Sequence, residues 1–246
     1  MSSRDTVLAS VRRGLGVTGN EAARRAAVQE RLARHARGLI PARGQLPPEE
    51  RIALFRNMVA AAAGTTTRVA IAADVPKEVA ALLRTLNLPQ AMRRGDDPRL
   101  AAMPWAEQKA LTVSTGASDG SDLAGVSHAF GAIAESGTLM LLSGPDNPTT
   151  LNFLPDTHIV VISAEDIAGD YESLWTRLRE RYGAGAMPRV VNLITGPSRS
   201  ADIGQTLILG AHGPRRLHVI VVGSATGGNP PSFRRVNSRV IARNRS

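Results

Sequence analysis

The stretch Gly131-Ala-Ile-Ala-Glu-Ser-Gly-Thr-Leu-Met-Leu-Leu142 is an apolar run broken at its centre by a carboxylate, a hydroxyl, a glycine and a second hydroxyl. Short apolar runs flanked by turn formers read as buried strands, so the tetrad Glu135 to Thr138 falls at a turn or bulge between two of them. An ionised Glu is rarely buried without a partner, and Gly137 permits a close backbone approach or a positive φ. Glu135 is therefore the leading candidate for a functional carboxylate, acting as base or nucleophile. The competing reading is a Glu that accepts turn amides and only fixes the bulge.

Outward from this run the chain alternates. Arg68 to Ala72, Leu111 to Ser114, Val126 to Ile133, His158 to Ser163, Arg189 to Thr195 and Leu217 to Val222 read as strands, and a weaker one lies near Gln90 to Arg93. Helical periodicity separates several of them. One helix follows Asp74 through Val79 and Leu83, a single turn lies near Pro98 to Met103, and a longer helix opens at Ser163 or Asp166 and runs to Tyr182. The near-continuous apolar character of Arg189 to Thr195 predicts a parallel strand covered on both faces. The order predicts an α/β fold: an open, mostly parallel sheet with helices on both faces, preceded by N-terminal helices. Those helices are expected from Ser3, Asn20 and Pro47, each with a narrow apolar stripe that packs on the body. Three regions follow: residues 1–64 helical, 65–223 the α/β domain, and 224–246 a basic, disordered tail.

Composition narrows the chemistry. The 246 residues include no Cys, which excludes disulfides, a catalytic thiol and a thiolate-ligated zinc or iron–sulfur centre on this chain. Residues 1–60 carry 11 Arg against 5 acidic groups and residues 224–246 carry 5 Arg and no acid, whereas residues 61–223 are nearly neutral. With 3% aromatics and no basic stripe on the body, the charge reads as solvated helix faces and a tail, not as a nucleic-acid surface. No secretory segment follows Met1 and no run reaches membrane-spanning length, so the cytoplasm is the expected location and no membrane partner is expected.

No dinucleotide fingerprint, Walker loop or Gly-x-Ser-x-Gly elbow occurs. The histidines at 35, 128, 158, 212 and 218 lack helical metal-ligand spacing, and no metal is expected. His158 and His218 begin strands, where hydrogen-bonded structural roles are commonest. Gly196-Pro-Ser-Arg-Ser-Ala-Asp-Ile203 places a tight turn, hydroxyls and an Arg where a helix would begin, so Gly196, Ser198, Arg199 and Ser200 form a candidate anion cradle. Ordinary capping by Ser198 or Ser200, with Asp202 on the helix dipole, is the alternative. His212, in the turn Gly210-Ala-His-Gly-Pro214, is a further candidate. The turn at Glu135, Ser136, Gly137 and Thr138 and the loop at Gly196 are expected to converge on one pocket.

These stretches, together with Leu154-Pro-Asp-Thr-His-Ile-Val-Val161, resemble the lactate-utilisation protein C (LUD-domain) family over about residues 67 to 222. The resemblance implies a fold similar to the sugar-phosphate isomerase and CoA-transferase superfamily. It implies a bacterial role in L-lactate oxidation beside separate iron–sulfur subunits, with the clusters on those partners and no cofactor on this Cys-free chain; the Gly196 loop adds the expectation of a small anionic ligand. In the similar transferases a Glu in a turn attacks a thioester. The alternative is thus a stand-alone transferase or isomerase acting on a CoA ester or sugar phosphate through Glu135.

Overall fold

The computed structural model of the chain describes residues 2–183, 185–200, 208–210 and 212–223. In chain order its helices are α1 (Ser3–Leu15), α2 (Ala22–Arg34), α3 (Pro48–Ala61), α4 (Val75–Thr85), α5 (Pro98–Ala101) and α6 (Tyr171–Tyr182). Its strands are β1 (Thr65–Val69), β2 (Ala91–Arg94), β3 (Thr112–Thr115), β4 (Ala124–His128), β5 (Gly131–Ile133), β6 (Thr138–Leu142), β7 (Thr157–Ser163), β8 (Ile167–Ala168), β9 (Val191–Ile194), β10 (Arg199–Ser200), β11 (Ile208–Leu209) and β12 (Arg216–Val222).

Six strands form a fully parallel sheet in the order β1-β12-β7-β4-β2-β3. The open α/β sheet read from the sequence is therefore present. The apolar strands β7 and β12 lie at its centre, as strands covered on both faces must. One face is packed by Val75, Val79 and Leu83 of α4 with Leu100, Met103 and Trp105 from the α5 region. The other face carries Ile52, Phe55 and Val59 of α3 together with a second sheet. That four-stranded sheet runs β8-β5-β6-β9, and α6 covers its far side through Leu174, Tyr171 and Trp175.

The second sheet corrects three sequence expectations. Val126 to Ile133 is two strands, because the chain leaves the parallel sheet after His128 and pairs β5 with β6. β9 is antiparallel to β6, and its Leu193 is 43% exposed, so its apolar residues do not mark a parallel strand buried on both faces. Residues 164–168 form a turn and β8, which pairs with β5, and α6 starts only at Tyr171. There Asp170 caps it by accepting from Ser173 N–H at 2.8 Å. The helix expected after Gly196 is likewise replaced, over the described residues, by β10 paired with β11. Ala201 to Leu207, including Asp202, and the tail from Ser224 onward lie outside the described residues.

At the N-terminus α1 is capped by Ser2, and α2 follows Glu21 instead of Asn20. Neither helix buries a residue, and Val7, Leu15 and Leu32 are largely exposed, so these two stripes do not pack on the body. α3 does, with Ile52, Phe55 and Val59 on the buried side at helical spacing. Its last turn meets two glycine turns at once. A Cβ on Gly137 (φ +67) would stand 2.6 Å from Val59 N, and one on Gly196 (φ +73) would strike the Ala62 carbonyl oxygen.

Buried histidines hold the parallel sheet together. The His218 ring on β12 bridges Thr65 Oγ1 at 2.7 Å and Thr67 Oγ1 at 3.1 Å on β1. His158 Nε2 on β7 meets Ser127 Oγ on β4 at 3.1 Å, and His128 Nδ1 donates to the Ala129 carbonyl at 2.9 Å. Burial pushes His218 and His128 down to about 4, with Arg99 adding to the effect at His128, and pushes His158 down to about 3. Each ring is thus kept neutral, as a buried imidazole without a counter-ion must be.

Two predictions follow from this packing. An unfolded His binds its proton near pH 6.5, whereas these three do so only well below it. Between about pH 6.5 and 4 the unfolded state therefore holds more protons, and stability falls as pH drops. Each ring contributes a slope of up to about 1.4 kcal/mol per pH unit. Denaturant midpoints should decline steadily from about pH 7 to pH 5, ahead of carboxylate titration, and a flat profile would contradict the assignment. Gly137→Ala and Gly196→Ala should each cost roughly 3 kcal/mol or more through backbone overlap. Gly14→Ala in α1, with nothing within 4 Å of its added carbon, should instead stabilise the protein by up to about 1 kcal/mol. Thermal melts of the three variants separate the two classes.

Candidate functional site

The tetrad forms the turn between β5 and β6, which pair Ile133 with Thr138. Glu135 is 4% exposed, and its N–H donates to the Gly169 carbonyl at 3.2 Å. Arg43 Nε stands 3.8 Å from Glu135 Oε2, an ion pair without a hydrogen bond, and Oε2 has no hydrogen-bond partner. Arg43 belongs to the short turn Ala42–Gly44, which is pinned over the site. Gly44 lies against the Gly169 backbone, and Gln45 Nε2 donates to Asp170 Oδ2 at 2.9 Å. The partner of the buried carboxylate thus comes from the N-terminal segment, which no local pattern around Glu135 could reveal.

Ser136 and Thr138 face a different set of neighbours. Thr138 Oγ1 lies 2.8 Å from Ser136 Oγ, 2.8 Å from the Tyr171 hydroxyl and 2.7 Å from Thr195 Oγ1. Ser136 Oγ also lies 3.0 Å from the Tyr171 hydroxyl. Each of these hydroxyls has one proton to give, and the four contacts absorb all of them. The cluster is satisfied from within, and it ties the β5–β6 turn to the residue just before Gly196. Thr195 was read only as the end of a strand, and Tyr171, the first residue of α6, carried no signal of a role here.

The Gly196 loop opens on a cleft of about 250 Å³. Its polar lining includes Asn152, His158, Ser198, Arg199 and His212, and Phe153, Leu193 and Leu217 contribute apolar wall. Ser198 clamps the two motif loops together. Its N–H donates to Pro214 O at 2.8 Å, its carbonyl accepts from Gly210 N–H at 3.0 Å, and its hydroxyl accepts from His212 N–H at 3.3 Å. Among the described residues the hydroxyl's own proton has no acceptor. Ser200 lies in β10, so the cradle at residues 196–200 is a loop entering a strand and not a helix N-terminus.

Asn152 and His158 are each 1% exposed. Ser127 Oγ donates to Asn152 Oδ1 at 3.2 Å, because that oxygen can only accept. The proton at the Ser127–His158 contact must then come from His158 Nε2, which leaves Nδ1 as a lone-pair acceptor. His158 Nδ1 and Asn152 Nδ2 have no partner. Arg199 is exposed and has no acidic partner among the described residues. A guanidinium, a free hydroxyl proton and an apolar wall suit a small anion with an apolar part.

The sequence-predicted candidates therefore divide. Gly196, Ser198, Arg199 and His212 share the cleft, but Glu135, Ser136, Gly137 and Thr138 do not line it. The expected common pocket does not form because the turn Ala42–Gly44 and Gly169 cover Glu135, although the Thr138–Thr195 hydrogen bond and the β6–β9 pairing tie the two groups together. Among the described residues no group of three or more His, Asp or Glu is arranged to hold a metal, and no helix is long and apolar enough to cross a membrane.

Comparison with known proteins fits this geometry. Lactate utilization protein C of Geobacillus thermodenitrificans (strain NG80-2) is 38% identical over 144 residues, which cover 52% of this chain and 60% of that protein. Lactate utilization protein C of Geobacillus sp. (strain WCH70) is 38% identical over 99 residues, 40% of this chain and 41% of its own length. The matched segment thus spans 60% or less of these curated relatives. The crystal structure of a DUF162 family protein from Deinococcus radiodurans superposes with a TM-score of 0.51 at 25% identity, covering 72% of this chain and 99% of that one. The family model of the LUD domain matches residues 82–222, more than half of the chain, from α4 through the closing strand β12, and this chain belongs to the LUD-domain family.

Proposed function

We propose that this chain is a component of a lactate-utilisation system and that its cleft holds a small anionic ligand. The relatives that share its LUD domain carry that name, which supports the first half of the reading. The second half rests on one observation: Arg199, without an acidic partner among the described residues, opens on the same cleft as Ser198 and the unpaired Asn152 and His158. With no cysteine, the chain leaves iron–sulfur chemistry to partner subunits in the cytoplasm. Its own contribution is to hold the ligand and the assembly.

Calorimetric titration tests the ligand. L-lactate and acetate should bind, neutral lactamide should bind at least about tenfold more weakly, and Arg199→Ala should remove a similar factor, the size of one charge-assisted hydrogen bond. Equal binding of lactamide would remove the anion from the reading. Purification of the tagged chain from its native cells grown on lactate should bring down iron–sulfur proteins, and their absence would remove the partner claim.

A second reading, a transferase acting through Glu135 on a CoA ester, is favoured by the buried Oε2, which accepts no hydrogen bond. It requires the Ala42–Gly44 turn to lift. Intact-mass measurement after incubation with an acyl-CoA reads it directly: an adduct on Glu135 that Glu135→Gln abolishes would support it, and unmodified protein would remove it.

A further inference from the structure

β2 and β4 are neighbours in the parallel sheet, yet the next strand of that sheet after β2 is β3 on one side, and the next after β4, once the chain has passed through β5 and β6, is β7 on the other. Their connections also pack on opposite faces. Leu100, Met103 and Trp105 after β2 join the α4 face, whereas Ala132, Ala134 and Leu139 after β4 join the α3 face. The carboxyl ends of the two strands therefore diverge and leave a crevice, the position at which open α/β sheets take ligands. The Arg199 cleft lies elsewhere, beside the first residues of β7 and β12.

His128, the last residue of β4, sits in this crevice with Asp97, Arg99, Asp146, Asn147 and Arg181. Because His128 Nδ1 donates to Ala129 O, its Nε2 bears a lone pair, and that nitrogen has no hydrogen-bond partner among the described residues. Asn147 is 4% exposed and its Oδ1 is also unpaired. Asp97 and Arg99 neutralise each other through contacts of 3.0 and 2.7 Å. Among the described residues Asp146 has no cationic partner and Arg181 no anionic one. Arg181 rests instead 5.7 Å from the Phe130 ring centroid. The crevice thus offers several acceptors and one uncompensated cation at its exposed rim. Its enclosed volume of about 20 Å³ admits one group the size of a water molecule.

We propose that this crevice is a second ligand site and takes a small zwitterion, a free α-amino acid. The ammonium group enters and donates to the acceptors at His128, Asn147 and Asp146, the carboxylate stays at the rim on Arg181, and the side chain faces solvent. A simple anion would leave the acceptors unmatched, and a simple amine would leave Arg181 unmatched.

The test is a titration of the full chain with L-alanine, followed through the His128 ring and Arg181 side-chain resonances by NMR. Saturable shifts at both are expected. Propionate and ethylamine, which each lack one charge, should bind at least about tenfold more weakly than L-alanine. Arg181→Ala and Asp146→Asn should each weaken L-alanine to a similar degree with the melting temperature unchanged. Three outcomes would overturn the site: no saturable shift at His128, binding indifferent to both variants, or a double-mutant cycle in which Asp146 and Arg181 stabilise the free protein against each other.

Discussion

The last turn of α3 touches two other backbones with no side chain between. Met58 and Val59 meet Gly137 in the β5–β6 turn, and Ala62 meets Gly196 after β9. These contacts leave no room for a methyl group at either glycine, and both glycines adopt the positive φ that a Cβ disfavours. The helix is itself seated on the parallel sheet through Phe55 and Val59. One element therefore sets the position of the four-stranded sheet on the six-stranded one. It also brings Thr138 within hydrogen-bond reach of Thr195, and so fixes where the Gly196 loop leaves β9 to frame the cleft.

The polar groups inside this frame follow from the same close packing. A parallel sheet covered on both faces has no water for its side chains, so the imidazoles on β4, β7 and β12 are held neutral and spend their hydrogen bonds on neighbouring strands or on their own chain. Charge is kept to the margins of the sheet. Arg93 pairs with Asp122, Arg99 with Asp97, and Arg177 with Asp166. Against that background the groups without an ion-pair partner among the described residues stand out: Arg199 at the cleft, and Arg181 and Asp146 at the crevice.

The central strands β7 and β12 were legible because each apolar run is bounded by turn residues and has no polar interruption between its His near the start and its end, whereas the edge strand β1, read at Arg68 to Ala72, lies at Thr65–Val69. The second sheet was not legible, for a physical reason. An apolar run reports burial and not direction, so β9 reads the same whether its partners are parallel or antiparallel, and the passage from β4 to β5 at Ala129 and Phe130 leaves no polar mark. Gly196, Ser198 and Arg199 could be grouped from sequence because turn formers surround their loop, whereas the approach of His212 from a separate turn could not be read. Arg43, Tyr171 and Asn152 could not, since each reaches its site through a contact distant in the chain. The stripes of α1 and α2 show the opposite failure, a pattern that predicts burial where none is found.

Proton counting makes one more connection between fold and cleft. Asn152 Oδ1 can only accept, so it claims the single proton of Ser127; Ser127 must then accept from His158 Nε2; and His158 Nδ1 is left as an acceptor. Burial pushes the pKa of that ring down to about 3, so near neutral pH it offers a lone pair and no charge. His158 of β7 therefore adds an acceptor to the cleft lining, and Asn152 Nδ2 beside it adds a donor. The loop built around Ser198 and Arg199 reads negative charge. The selectivity of the cleft depends on both at once, and the α3 contacts with Gly137 and Gly196 hold the second against the first.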